Sequence, residues 1–574
     1  MLNLIHRDRQ RRSKQAYKRH CSWYPAMHSL EWNFACRKTC TGGRGKERTC
    51  SRSSRQLRKM KQGRQNYYAV VNCLNFVSST LNLFAQDKDA KYQELSNFYA
   101  GGNARCTYEA KPSRRTRGVS CCPWDRLWSG LVQQCLAVGG PVPDSAGTAT
   151  AMFTGVKSNY YMLGFNSNAK FDECDVERNA NSQLSSIMKW AQDAGKHTGI
   201  VTTTRVTHAT PAALYAHSNN RDWECDSSVP PAFKDCIKDI ARQLIEDEPA
   251  KNFRVILGGG KNQLGIPVDP GTDDSCNRTD GRNLLDTWMS DKRRHLFVDN
   301  TADLMNADSS KVDYLLGLFS PGHMPYALER DHGPKGTPSL QNMTSQAIKF
   351  LSGNKMGYVL MVEGGRIDHA HHANYAQMAL HETSELDDAV AYAARNTDPA
   401  DTLIIVTADH SHSFTINGYP GRGNDILGHA NKSPDEEPYE TLSYANGPGF
   451  DTHRATNLSN CSAGMWRVIP EEERRQTRYR HFSGVNLTDE THAGEDVPVF
   501  SRGPGAHLLS GVFEQNYIAH VIGYSACIGP PRKFCTDDNE VRTLRSHNAS
   551  PAVLPTDALL ISLFAIVLLS KGRR

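Results

Sequence analysis

The chain has 574 residues, 39% of them apolar and 22% charged, with 44 Gly and 27 Pro. That globular composition suits two to four domains or one large enzyme domain with insertions, and it excludes a disordered chain. No run reaches ~18 apolar residues, which excludes an ordinary transmembrane helix, and sixteen Cys allow a few extracellular bridges but no disulfide scaffold.

The net charge of +6 conceals a reversal. Residues 1–140 hold 26 Lys and Arg against 8 Asp and Glu, the remainder 41 against 53, and nine of the Cys lie in the first part. The basic residues are scattered among Cys, Trp and Tyr without finger spacing or a nucleic-acid motif, so no nucleic-acid partner is expected. Arg7, Arg9, Arg11 and Arg12 interrupt any apolar run after Met1, so no signal peptide is read there. Residues 1–140 are read as an atypical segment, either an unstructured extension or a misassembled start. Within it only Tyr67–Phe84 has core character.

From residue 141 the pattern is α/β. The β-rich runs Thr198–Thr203, Arg254–Leu257, Tyr358–Val362 and Leu403–Thr407 each end in small or polar residues. Continuous apolar runs fit buried parallel strands. Helices are expected over Asn181–Ala194, Asp235–Glu246, Ser339–Ser352 and Tyr375–Ala394, giving a large, mostly parallel central sheet flanked by helices. Ligands of such sheets sit beyond the strand carboxyl ends, and those ends carry His208, Glu363, Asp368, Asp409 and His410. Residues 418–488, rich in Gly, Pro, Asn and charge, read as an insertion; no internal repeat is present.

After Tyr358–Val362 comes Glu363-Gly-Gly-Arg-Ile-Asp368-His369-Ala-His371-His372. Asp368 and His372 are four apart, on one helical face, and could share a cation, while Gly364 and Gly365 would let the backbone approach a ligand closely. The bland alternative is a polar loop with solvated histidines. Asp409-His410-Ser-His412 repeats the design at a second strand end, and His492 adds a third loop. Mixed Asp and His ligands suit zinc, and Glu with hydroxyl oxygens suits magnesium. Pro143-Asp144-Ser145-Ala-Gly-Thr-Ala-Thr offers a nucleophile: Ser145 at a helix start would face unpaired N–H groups that favour a phosphate. The alternative is Asp144 or Ser145 as an ordinary N-cap. Arg221 could clamp a phosphate in bidentate fashion, or be a surface arginine.

PDSAGTATA, TTTRVTHATPAALYAH, VEGGRIDHAHH, VTADHSH and THAGEDV, in this order, resemble the animal membrane-anchored alkaline phosphatases from about Val142 to Cys527. The resemblance implies a catalytic domain over residues 141–528 with residues 418–488 as a crown-like insertion. It also implies hydrolysis of phosphate monoesters at alkaline pH through a phosphoserine. Ser145 would be the nucleophile and Arg221 the phosphate clamp. Asp368, His372 and His492 would bind one zinc that activates water and assists the leaving group. Asp409 and His410 would bind a second zinc that lowers the Ser145 hydroxyl pKa. Glu363 and Thr210 would bind one magnesium, with His208 near it. Cys174 would pair with Cys236 and Cys527 with Cys535, the chain would form a homodimer with the insertion at the interface, and specificity would be broad.

Two departures stand out. The family's early Gly-Asp-Gly-Met-Gly motif, whose Asp bridges two metals, has no counterpart upstream of Val142, since Asp8, Asp87, Asp89 and Asp125 stand in other contexts and Asp280-Gly281 is far downstream. Phe319 is present at the extra calcium site of the mammalian type, but Ser320, Thr337 and Gly271 replace carboxylates, so no calcium is expected there. At the other end, Asn548-Ala-Ser, a short spacer and the apolar run Ala558–Ser570 follow the pattern of a lipid-anchor signal. Residues 549–574 would be removed, with Asn548 the attachment residue and Ser546 or Ser550 as alternatives. Sequons at Asn277, Asn342, Asn431, Asn457, Asn460, Asn486 and Asn548 agree with an outer-surface location. The competing reading is a catalytically impaired, lipid-anchored binding protein that keeps the fold.

Overall fold

A computed structural model describes residues 140–268, 276, 278–421, 423–433, 437–454, 466–467 and 469–530, with the backbone of 128–134. The anchor signal with Asn548, Cys535, Gly271 and all readings upstream of residue 128 lie outside the described residues.

Nine strands matter for the site: β1 (Trp128–Gln134), β2 (His197–Arg205), β3 (Val255–Gly259), β4 (His295–Val298), β5 (Tyr314–Leu318), β6 (Tyr358–Glu363), β7 (Ile404–Thr407), β8 (Val497–Arg502) and β9 (Phe513–Glu514). Five form an all-parallel sheet in the order β4-β5-β3-β2-β6. The other four form a mixed sheet, β9-β1-β8-β7, in which β7 runs antiparallel to β8. Leu403–Thr407 thus lies in this second sheet, where β7, β1 and β9 run one way and β8 alone runs against them. Its apolar run reports burial on both faces, and burial does not specify which strands it pairs with. Val359, Met361 and Ile405 point into one apolar layer, while Leu360, Val362, Ile404 and Val406 point into the other, so both sheets share the same two cores.

Helices cover these cores. In α1 (Ser145–Thr154) every residue is buried, which its small Ala, Gly and Thr side chains permit. The helix ends at Gly155, φ 80°, where an added Cβ would lie 2.7 Å from the His520 ring. α2 (Leu340–Leu351), capped by Ser339, buries Leu340, Met343, Ala347 and Leu351 at helical spacing. α3 (Arg366–His372), α4 (Ala376–Asn396) and α5 (Tyr517–Ala526) follow. Two expected helices are shorter. Asn181–Ala194 splits into Val176–Ser182 and Ile187–Asp193, because Gln183 is extended and bridges Phe165 while Leu184 N–H donates to Gly164 O. Asp235–Glu246 begins only at Ile240, where the Asp239 side chain caps it.

Cys174 is bonded to Cys236, as expected. Cys527 is disulfide-bonded, its partner lying outside the described residues. A third bridge, Cys225–Cys276, was not anticipated; neither cysteine lies in a recognisable motif.

Candidate active site

In the parallel sheet β2 lies between β3 and β6, so the chain turns in opposite directions from neighbouring strands and leaves a crevice beyond their carboxyl ends. Register pairs Thr202 with Glu363 across it. The Glu363 carboxylate accepts from the Thr202 hydroxyl at 2.5 Å and the Thr204 hydroxyl at 3.3 Å. Gly365 is required by protein rather than by a ligand: a Cβ there would stand 2.4 Å from Thr204 Cγ2. Thr210 is buried in the short helix Ala209–Ala212, directly after His208.

Ser145 opens α1 with its Oγ 3.0 Å from His410 Nε2. The cap is Asp144, whose side chain accepts from Ala146 N–H at 3.0 Å and Gly147 N–H at 3.3 Å. These amides are therefore not open to a phosphate, and anion binding falls to Arg221. Its guanidinium donates to Asp144 Oδ2 at 3.3 Å and to His208 Nε2 at 3.0 Å. Arg221 is largely buried, with its side chain 14% exposed, so the reading of it as a surface arginine fails.

Asp368 and His372 come from α3, and His492 from the short strand His492–Ala493, which pairs antiparallel with Ser411–His412. His372 Nδ1 faces Glu490 O at 2.5 Å and His492 Nδ1 faces Pro143 O at 2.8 Å. Each Nδ1 must carry the proton, which leaves each Nε2 as a bare acceptor. Those two Nε2 atoms lie 3.2 Å apart and 3.4 and 3.3 Å from the Asp368 oxygens. Three acceptors converging with no proton between them fit a cation, and one carboxylate with two imidazoles suits zinc. Beside them, His410 Nε2 lies 3.2 Å from Asp409 Oδ2, which also accepts from Thr148 Oγ1 at 3.4 Å. Burial, then the neighbouring imidazoles, hold His410 well below the usual histidine range, so it is neutral and able to ligate.

His412 is a residue whose role sequence reasoning missed. Fully buried, it contacts Asp368 Oδ1 through Nε2 at 2.8 Å and Glu490 through Nδ1. Burial opposes its charge, but Glu490 and Asp368 outweigh that and push it up to about 10. It is thus an imidazolium that orients the Asp368 carboxylate. The available signal was the alternation of an extended chain, which puts His410 and His412 on one side. Asp368, for its part, is held well below the carboxylate range although burial raises it, with His412 as its charged neighbour.

A second histidine cluster, His208, His323 and His369, lies beside the first. Each ring faces a guanidinium: Arg221 on His208, Arg205 on His323 at 2.5 Å, Arg366 on His369 at 2.8 Å. Burial, reinforced by neighbouring positive groups, pulls all three well below the usual range. These imidazoles are neutral acceptors for arginines, and three guanidiniums disfavour a further cation there.

Converging lone pairs call for cations, and a serine beside a buried arginine calls for an anionic ester; together they define a cation-dependent hydrolase. Comparison with known proteins agrees. The family model described as alkaline phosphatase matches residues 125–528, and the chain belongs to this family of metal-dependent phosphomonoesterases. It is similar to alkaline phosphatase 4 of Drosophila melanogaster, 47% identical over 424 residues covering 70% of each chain. The human tissue-nonspecific isozyme is 44% identical over 415 residues, 70% of this chain and 76% of that one. The membrane-bound alkaline phosphatase of Bombyx mori is 39% identical over 443 residues, 75% of each. In fold the chain resembles Thermus thermophilus alkaline phosphatase, TM-score 0.53 at 21% identity, covering 83% of this chain and 95% of that one.

Proposed function

We propose that the chain hydrolyses phosphate monoesters at alkaline pH through a phosphoserine on Ser145. The observation that carries this reading is the Ser145 Oγ, 3.0 Å from His410 Nε2 at the start of α1, with Arg221 fixed beside it by Asp144. Arg221 binds the phosphate oxygens and orients the ester. Ser145 Oγ forms a bond to phosphorus as the ester P–O bond breaks in line and the alcohol departs. Water then attacks the phosphoserine, releasing phosphate and restoring the hydroxyl. Asp368, His372 and His492 would hold one zinc, Asp409 and His410 a second, and Glu363 with Thr210 a magnesium. When bound, these ions supply positive charge that lowers the pKa of serine and water and offsets charge in the transition state. His412 holds Asp368 in place, and Asp144 aims Arg221.

The test is release of alcohol from an aryl phosphate at alkaline pH, with zinc and magnesium supplied, beside Ser145→Ala. Turnover is expected to fall by several orders of magnitude in the variant, and acid-stable phosphate on Ser145 to vanish. Turnover that survives the substitution would reject Ser145 as nucleophile. The lack of a family-like Asp motif upstream of Val142 favours the second reading, an impaired surface binding protein. Phosphate binding without turnover by the wild-type chain would select it.

The small-residue pattern at Asn548 with its apolar tail, and the membrane-bound name of the Bombyx mori relative, support a lipid-anchored position on the outer surface. Release from cells by a phosphatidylinositol-specific phospholipase tests it. A homodimer joined through the 418–488 insertion is part of the same reading, with sedimentation as its check.

A further inference from the structure

The helix that supplies Asp368 and His372 closes in a left-handed turn. Asn374 has φ 58°, its N–H donates to His371 O, and Tyr375 N–H donates to Ala370 O, each at 2.8 Å. This is the two-bond closure whose left-handed position usually belongs to glycine. Glycine would satisfy the backbone here, yet the chain places an asparagine, and that residue is 0% exposed. Both ends of its amide are engaged. Asn374 Oδ1 accepts from Gly449 N–H at 2.8 Å, and Nδ2 donates to Asn446 O at 3.3 Å. Its backbone O accepts from His481 N–H at 2.9 Å.

These partners lie in the 418–488 region and are shaped around the asparagine. Gly447 has φ 126°, and a Cβ added there would strike Asn374 Oδ1; one on Gly449 would strike His481 O. From Asn446 the connection continues toward the third cation ligand. Asn446 Oδ1 accepts from Thr491 N–H and its Nδ2 donates to Thr491 Oγ1, both at 2.9 Å, and the next residue is His492. Glu490 N–H closes the path by donating to His372 O at 2.8 Å. His371, on α3, pairs through Nδ1 with the Tyr444 hydroxyl at 2.9 Å, a further tie to the same region.

We infer that Asn374 and Asn446 form a clasp that sets the spacing between α3 and the His492 segment, and thereby the affinity of the Asp368–His372–His492 set for its cation. This rests on the reading of that set as a zinc site. Ligands from two segments bind an ion tightly when their separation is fixed beforehand, because slack must otherwise be removed on binding. The strand His492–Ala493 pairs with Ser411–His412, so no ladder of its own ties it to α3. Asn446 touches both sides: its O meets Asn374 at the end of α3, and its side chain meets Thr491 beside His492. Asn374 and Asn446 are positioning residues that act through the three ligands.

The test measures zinc affinity of the folded full chain by competition with a chromogenic chelator, beside turnover of an aryl phosphate. Asn374→Gly keeps the left-handed turn and removes the side-chain bonds. It is expected to weaken one zinc equivalent about tenfold, while the equivalent on Asp409 and His410 stays within about twofold. Asn446→Ala should do the same, and because Asn446 is partly exposed it serves if Asn374→Gly folds poorly. The double variant should lose no more than the weaker-binding single one, since two links in series fail together. Asn446→Asp still accepts from Thr491 N–H and can take the Thr491 hydroxyl as donor, so it should rescue the affinity. Wild-type zinc affinity in both single variants, even with a lowered unfolding temperature, would reduce the clasp to a structural feature and overturn the inference. Additive losses in the double variant would overturn it as well. The affinities judge the clasp even if the wild-type chain binds zinc without turnover, an outcome that counts against the hydrolase reading alone. A wild-type chain that takes up no zinc would overturn both.

Discussion

His412 carries a positive charge between two buried carboxylates, Asp368 and Glu490, and neither partner has solvent to fall back on. Replacing it by alanine leaves both acids facing each other's field with the intervening proton gone. The expected cost is about 3–5 kcal/mol of stability, the size found when one partner of a buried ion pair is removed. With Asp368 no longer oriented, zinc affinity should fall roughly 10–100-fold. A urea titration with and without zinc checks both effects; unchanged zinc affinity would mean that Asp368 is held elsewhere. The same residue shows where motif reading stops. Asp368, His372, Asp409, His410 and His492 could be picked out as candidates because ligand chemistry favours those residue types near strand ends. The charge state of His412 was not, since it depends on Glu490, 78 positions away in the chain.

At the scale of elements, the strands and the longer amphipathic helices followed from hydrophobic pattern, as α2 and α4 show. The broken helix at Gln183 and the late start at Ile240 did not, because a partner strand segment and a side-chain cap outcompeted helical propensity. The insertion has its own buried network: Glu440 accepts from the Tyr479 hydroxyl and from Phe482 N–H, and Tyr479 also meets His453. Burial pushes Glu440 up to about 7 despite those donors. A carboxyl raised in the folded state contributes stability that is present at acidic pH and lost as pH climbs through about 7. The loss approaches roughly 3 kcal/mol when complete. Glu382, raised by burial to about 7 as well, adds in the same direction. Glu440→Gln should therefore gain on the wild type in melting temperature between pH 5 and 8. A constant difference across that range would show that Glu440 is not the group titrating.

For the whole molecule, the cation cluster joins parts of the chain far apart in sequence: α1, the end of β6 with α3, the segment after β7 and the short strand His492–Ala493. Bound ions should accordingly act as cross-links of the entire domain. Dialysis against a chelator is expected to lower the unfolding temperature cooperatively and to abolish turnover. Returning zinc at a hundredfold excess over Kd should restore about 2.7 kcal/mol. Calorimetry reads this directly, and an unfolding temperature insensitive to zinc would contradict it.

The α/β class and the family were determined by sequence alone, because strand burial and the spacing of five motifs are local properties of the chain. Tertiary structure decided the pairing of β7 with the antiparallel β8, the third disulfide and the cap that occupies the Ala146 and Gly147 amides. Each of these depends on pairings between distant segments. Strand direction and side-chain proximity are set by how layers pack, and no local pattern encodes them.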